Sequence, residues 1–175
     1  MLVTGINPLR IYIYKDGLAR FATVPYKSPT PHNLGDLCMH LTNYAINKES
    51  ADFVQNERED KDDEGSKRSY ISVLNQIEKE FSPEKRDEVV RSINDIIIKT
   101  MCLAMPHVYH LYQSCQPNDV DNSMCFQILG FDVMLDHKLD SFLIEVNQMP
   151  SFQTDSPLDF KIKKGVILDL SLIHI

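Results

Sequence analysis

An α+β fold, an antiparallel sheet packed by helices, is predicted by two observations. Phe131 to Asp136 and Ser141 to Asn147 run with the two-residue period of strands on either side of a polar turn. Tyr70, Val73, Leu74, Ile77 and Phe81, and then Val89, Val90, Ile93, Ile96, Ile97, Met101 and Leu103, recur instead at helical spacing. A chain of 175 residues, 43% hydrophobic and 25% charged, has material for one domain with a real core and little room for a second. That domain is expected over residues 1–170, with 171–175 set apart as a tail.

Taken in order, MLVTGI, LRIYIYK and LARFATV are rich in β-branched and aromatic residues and read as three short strands. Asp16-Gly17 predicts a hairpin turn between the second and third, because a type I′ turn needs positive φ at both central positions. On the third strand Leu18, Arg20 and Ala22 face one way, which sets Arg20 among small apolar neighbours. A strand arginine there is either a solvated edge residue or a planar fork for a carboxylate or phosphate. Pro25, Pro29 and Pro31 then open a loop. His40 to Lys48 has no clear period but concentrates Thr42, Asn43, Tyr44 and Asn47. Such density suits a turn bonded by its own side chains or a ligand-lining segment equally well. The run NEREDKDDEGSKR predicts a solvated loop, with Lys67 and Arg68 at its basic end in reach of a site. Two helices follow. Ser82 as N-cap and Pro83 in the first turn start the second, which Pro106 should kink or end.

The terminal hairpin carries the chemistry. A four-residue loop, His137 to Asp140, would pair Asp136 with Ser141 and, counting back, set Asp132 opposite Glu145. Asp132, Met134 and Asp136 would then share a face of one strand, and Leu143, Glu145 and Asn147 a face of the other. Opposed carboxylates repel, so the pair needs a shared proton or a bound cation. Asn147 adds a neutral oxygen and favours the cation, and such hard oxygen ligands suit Mg²⁺, which completes its shell with water and nucleotide phosphates. The alternative is an ordinary hairpin with solvated carboxylates.

Composition excludes some classes. A net charge of −7 with no basic stripe argues against a nucleic-acid-binding surface. Lys161, Lys163 and Lys164, and Lys85 with Arg86, are the candidate local basic patches for an acidic partner. Cys38, Cys102, Cys115 and Cys125 form no CxxC pair, so reduced, buried thiols are expected. His107 and His110 read as helix-surface or packing residues. No uninterrupted apolar window is long enough to cross a bilayer, and Met1 is not followed by a basic segment and apolar core. An intracellular protein with no membrane partner is the expectation.

HLTNYAINK, then GFDVMLD, then LIEVNQMPSFQTDSPLD stand in this order after MLVTGINPLRIYIYKDGLARFATVPY. Together they resemble the tubulin tyrosine ligase-like family, in its polyglutamylase branch. The resemblance covers about residues 1 to 170. It implies an ATP-grasp fold, with ATP and Mg²⁺ between two α+β lobes. Asp132, Glu145 and Asn147 match the family's Mg²⁺ ligands, and Thr42 and Asn43 match nucleotide-contacting positions. Arg20, Tyr44, Lys67 and Thr154 match positions that hold the incoming amino acid. Ala45 stands where relatives commonly carry serine, which leaves only backbone contact there.

The reaction this implies joins free L-glutamate to glutamate side chains of tubulin. A protein γ-carboxylate would take the γ-phosphoryl group of ATP, and the amino group of glutamate would open the resulting acyl phosphate. Asp132, Glu145 and Arg20 would carry the catalytic burden, with Arg20 and Lys67 positioning a doubly anionic amino acid. The alternatives are a relative that adds glycine or tyrosine, and a non-catalytic tubulin-binding fragment or pseudoenzyme. The family's phosphate-clamping lysines and adenine pocket precede the matched segment, so the chain is expected to be the C-terminal part of the catalytic domain. The expected partners are tubulin and microtubules, with the protein itself monomeric. The expected place is the cytoplasm, on the microtubules of the cytoskeleton, cilium or basal body.

Overall fold

The computed structural model describes residues 1–58, 61–121 and 124–173. Its elements in order are β1 (Leu2–Ile6), β2 (Leu9–Tyr12), β3 (Leu18–Arg20), α1 (Leu37–His40), α2 (Tyr44–Asn47) and β4 (Lys67–Ser69). There follow α3 (Tyr70–Glu80), α4 (Pro83–Cys115), β5 (Gln127–Ile128), β6 (Gly130–Leu135), β7 (Ser141–Asn147) and α5 (Pro157–Ile173). Helices and antiparallel strands are thus mixed as expected. The backbone gathers into two compact units, Met1–Tyr14 with Ile77–Ser151, and Lys15–Gln76 with Phe152–Ile175.

In the first unit an antiparallel sheet runs β2-β1-β5, with Leu2 and Val3 of β1 buried. Gly5 leaves room for the Arg10 side chain to lie across it; a Cβ there would stand 2.6 Å from Arg10 Nε and the guanidinium would have to move. The Arg10 guanidinium in turn donates to the Asp121 carbonyl at 3.1 Å. α4 starts as its sequence dictates, with Ser82 Oγ accepting the Lys85 N–H at 3.2 Å and Pro83 in the first turn. Val89, Ile97 and Met101 of α4 are buried, and the helix meets β1 and β7. Leu103 does not lie with them. It stands roughly 200° around the helix from Met101, and it is 84% exposed. Nor does Pro106 end the helix, which continues to Cys115.

In the second unit β3 pairs antiparallel with β4, Leu18 against Ser69 and Arg20 against Lys67. This overturns the hairpin expected at Asp16-Gly17, because β2 pairs with β1 and β3 with β4. The Asp16 carboxylate is used otherwise. Its Oδ1 accepts the N–H groups of Gly17 at 2.8 Å and Ile71 at 3.1 Å, and so caps the start of α3. Among the described residues the glycine with positive φ is Gly65, not Gly17. Leu158 and Ile162 bury one face of α5.

α3 contributes residues to both units, with Leu74 and Ile77 buried and Phe81 beyond its end. α5 continues past residue 170 to Ile173. Residues 174 and 175 of the tail, and 59 and 60 of the charged loop, lie outside the described residues. His107 and His110 are exposed on α4, as expected. The cysteines depart from expectation: all are free, but Cys102, Cys115 and Cys125 are exposed and Cys38 is half-buried. Cys102 sits off the buried stripe of α4, Cys115 is exposed at the last residue of that helix, and Cys125 lies in the loop before β5. Among the described residues no helix is long and apolar enough to cross a membrane.

Candidate functional site

The hairpin of the first unit sets Asp132 directly opposite Glu145. The register reaches this pairing by another route than simple counting. Leu135, not Asp136, opposes Ser141, so the loop has one more residue than expected, and an irregularity between Asp132 and Val133 absorbs Ile144 as an extra residue. Without that bulge the same turn would pair Asp132 with Ile144 and send Glu145 to the other face. The bulge also changes the neighbours. Phe142 opposes Met134 and so shares the face of Asp132 and Glu145, whereas Leu143 opposes Val133 on the far side.

Asp136 leaves the site for the turn. Its Oδ1 accepts the N–H groups of Lys138 at 2.8 Å and Asp140 at 2.9 Å, and its own N–H donates to the Asp140 carbonyl at 3.0 Å. The bond from the Asp140 backbone is the main influence holding the Asp136 carboxyl below the usual range, against some opposing burial. Leu139 completes the turn at φ 67°.

Asn147 joins the opposed pair, its Nδ2 donating to Glu145 Oε1 at 3.1 Å. That bond leaves the amide oxygen as a further acceptor beside two carboxylates. Asp132 is half-buried and Glu145 exposed, so the trio opens to solvent on one side. Among the described residues no group of three or more His, Cys, Asp or Glu is gathered to hold a metal. The hairpin trio, with two carboxylates and an amide oxygen, offers the hard donor set that fits Mg²⁺ when water and phosphate complete the shell.

The second unit holds the other expected site residues. Asn47, buried to 2%, organises the segment around them. Its Nδ2 donates to the Leu41 carbonyl at 2.7 Å and the Asn43 carbonyl at 3.1 Å, and its Oδ1 accepts the Thr23 N–H at 3.1 Å and hydroxyl at 2.9 Å. This part of the segment is therefore a turn bonded by its own side chain. Thr42 and Asn43 lie at the turn it pins, Thr42 half-buried, and Asn43 exposed with no side-chain capping bond. Tyr44 and Ala45 open α2, Ala45 exposed.

Lys67 and Tyr44 are brought together, with Lys67 Nζ 4.6 Å from the Tyr44 ring centroid. Arg20 stands opposite Lys67 across the β3–β4 ribbon, so two cations share one face. A narrow cleft beside them is lined by Tyr44, Phe53, Gln55, Lys67, Asp155 and Ser156. Thr154 is exposed in the loop one residue before Asp155 and does not line this cleft.

Sequence reasoning missed the group behind Lys67. Asp159, only 1% exposed, accepts from Lys67 Nζ at 2.8 Å and from the Ser156 hydroxyl at 2.7 Å. Burial is the largest influence on its carboxyl and pushes the pKa up, but the bonds from Lys67 and Ser156 and the charges of Lys67 and Lys163 together outweigh it and leave it lowered. The available signal was Ser156-Pro157-Leu158-Asp159, a helix-start pattern of the kind read at Ser82-Pro83. The lysines of α5 are largely engaged as well. Lys161 pairs with Asp62 at 2.9 Å, Lys163 donates to the Gln153 carbonyl, and Lys164 lies over the Phe160 ring.

Comparison with known proteins agrees with the motifs. A model of the tubulin-tyrosine ligase family matches residues 1–175. The chain is 47% identical over 169 residues to the probable beta-tubulin polyglutamylase of Tetrahymena thermophila, covering 97% of this chain and 14% of that protein. It is 48% identical over 176 residues to tubulin polyglutamylase TTLL6 of Homo sapiens, covering 100% of this chain and 19% of that protein. Against tubulin polyglutamylase TTLL7 of Mus musculus the identity is 42% over 181 residues, again with 100% and 19% covered. The chain thus spans less than a fifth of the length of these relatives. At this identity, along its whole length, the chain belongs to the tubulin-tyrosine ligase family.

Proposed function

We propose that this chain is part of an ATP-dependent ligase that joins L-glutamate to glutamate side chains of tubulin. The observation that carries the reading is the hairpin, where Asp132 opposes Glu145 with Asn147 bonded at 3.1 Å. Two facing carboxylates repel, and a bound Mg²⁺ would offset that repulsion. Asp132, Glu145 and Asn147 would hold the ion, with Thr42 and Asn43 at the nucleotide, in an ATP-grasp arrangement. When bound, ATP with Mg²⁺ supplies the phosphoryl group that activates a carboxylate and the charge that neutralises the phosphate oxygens.

Residues of the second unit account for the amino acid. Arg20 and Lys67 are opposed on one ribbon face, and Lys67, held by Asp159, stands beside Arg20 as a second cation for an incoming anion. Glutamate brings two carboxylates to that pair, whereas glycine and tyrosine bring one. Tyr44 holds the Lys67 ammonium against its ring, Ala45 offers only its backbone, and Thr154 is the remaining expected contact. Tubulin as the acceptor is supported by what the relatives are named for; microtubules of the cytoskeleton or cilium as the place of action and a monomeric enzyme complete the proposal.

Incubation of the full-length protein with tubulin, ATP, Mg²⁺ and labelled amino acids tests it. Labelled glutamate should enter tubulin, remain bound through denaturing washes and be diluted only by unlabelled glutamate present from the start, and incorporation of glycine or tyrosine in its place would reject the assignment.

A further inference from the structure

We infer that Asp159 is the positioning residue of the Lys67 ammonium and, through it, a determinant of amino-acid binding. The inference rests on the reading of Lys67 as a residue that holds the incoming amino acid. At 1% exposure, Asp159 is too deep to meet a ligand itself. Its Oδ2 accepts from Lys67 Nζ at 2.8 Å and from the Ser156 hydroxyl at 2.7 Å, and its Oδ1 lies 3.8 Å from Lys163 Nζ. Ser156 Oγ also accepts the Asp159 N–H at 3.2 Å, the reciprocal bonding of a helix start, so the carboxylate has little freedom to turn.

Lys67 is confined from the other side by the Tyr44 ring, 4.6 Å from Nζ. An ammonium has three N–H donors. One is engaged by Asp159 and one side is covered by the ring, which leaves the remaining 12% of the accessible side chain for the cleft beside Tyr44, Phe53 and Ser156. Two cations, Lys67 and Lys163, meet this one carboxylate, so the cluster keeps positive charge after the ion pair is formed. Asp159 therefore anchors the lysine while Lys163 offsets its charge, and Asp155, lining the same cleft, is among the described residues the one further carboxylate an anionic ligand would meet there. A lysine without such an anchor would lose the rotamer freedom of its long stem at every binding event, whereas here the ordering precedes the ligand. The expected signature is weaker amino-acid binding with the phosphoryl chemistry little changed.

Steady-state kinetics of the full-length protein on tubulin, with ATP and labelled glutamate, supply the test. Asp159→Asn should raise KM for glutamate by about tenfold or more while KM for ATP stays within about twofold, and Asp159→Glu, which keeps the charge, should recover part of the loss. Ser156→Ala leaves the ion pair but removes one bond to Asp159. It should raise KM for glutamate by a smaller factor, and it decides the matter if Asp159→Asn does not fold. An unchanged KM for glutamate in the variants that melt cooperatively, or a loss confined to kcat, overturns the inference. A wild-type protein that fails to incorporate glutamate rejects the proposed function instead, so the two failures are told apart.

Discussion

Glu145 and Asp159 are both carboxylates beside a proposed ligand, yet their surroundings assign them opposite duties. Glu145 is exposed, opposed to Asp132 and bonded to Asn147, so its worth is in what it binds. Glu145→Gln should lower ligation by about 100-fold or more through loss of a metal ligand. The change at an exposed position should shift stability by no more than about 0.5 kcal/mol. Turnover near the wild-type rate, measured beside an unchanged melting curve, would remove Glu145 from the proposed site. Asp159 is buried and works on the fold as well as on Lys67. Its folded pKa is lowered, so its contribution is fully present above the unfolded value of about 3.9 and is lost as pH falls through the folded value. The urea stability gap between wild type and Asp159→Asn should therefore be constant near neutrality and shrink below about pH 4. A gap that does not close in acid would mean that the carboxylate charge is not what stabilises the pair.

At the scale of elements, the β6–β7 hairpin is where turn chemistry and site chemistry meet. Asp136 closes the loop, Leu139 sits at φ 67°, and the extra residue Ile144 restores the pairing of Asp132 with Glu145. A left-handed conformation costs a branched side chain roughly 1–2 kcal/mol, and glycine adopts it without that cost. Leu139→Gly should accordingly stabilise the first unit by about 1 kcal/mol, read as a higher urea midpoint at unchanged slope. A destabilised variant would mean that packing of the Leu139 side chain outweighs its backbone strain. The β3–β4 ribbon presents the other lesson at this scale. Arg20 and Lys67 are far apart in sequence, and only the pairing of these strands makes one cationic face of them.

For the whole molecule, the mixed helix and antiparallel-strand architecture and the hairpin trio are legible in the amino-acid sequence. Local chemistry carries them: helical periodicity in α3 and α4, the Ser82-Pro83 start, and strand periodicity around Asp132 and Glu145. Partnerships between distant segments are not legible, because strand period states which residues share a face but not which strand lies alongside. Asp16-Gly17 therefore suggests a hairpin that the pairing of β3 with β4 replaces. Burial of thiols escapes the sequence for a related reason, since a cysteine's exposure depends on which helix face finds a partner. Cys102, Cys115 and Cys125 should react with a thiol reagent in the native protein at rates near that of free cysteine, and half-buried Cys38 more slowly. Protection of all four thiols until unfolding would contradict the surface described for α4.

The sequence by itself determined the family and the residue types of the candidate metal and amino-acid groups, which depend on residue identity and survive a small error of register. Counting reached the opposition of Asp132 to Glu145 only because the longer loop and the bulge at Ile144 offset each other. Tertiary structure alone decided that Ile144 is the residue that makes the register work, that Asn47 ties its segment to Thr23, and that Lys67 is anchored by Asp159. Each of those depends on a backbone detour or on a bond between segments that meet only after folding. A buried ion pair between residues so far apart in the chain has no period and no local motif to announce it.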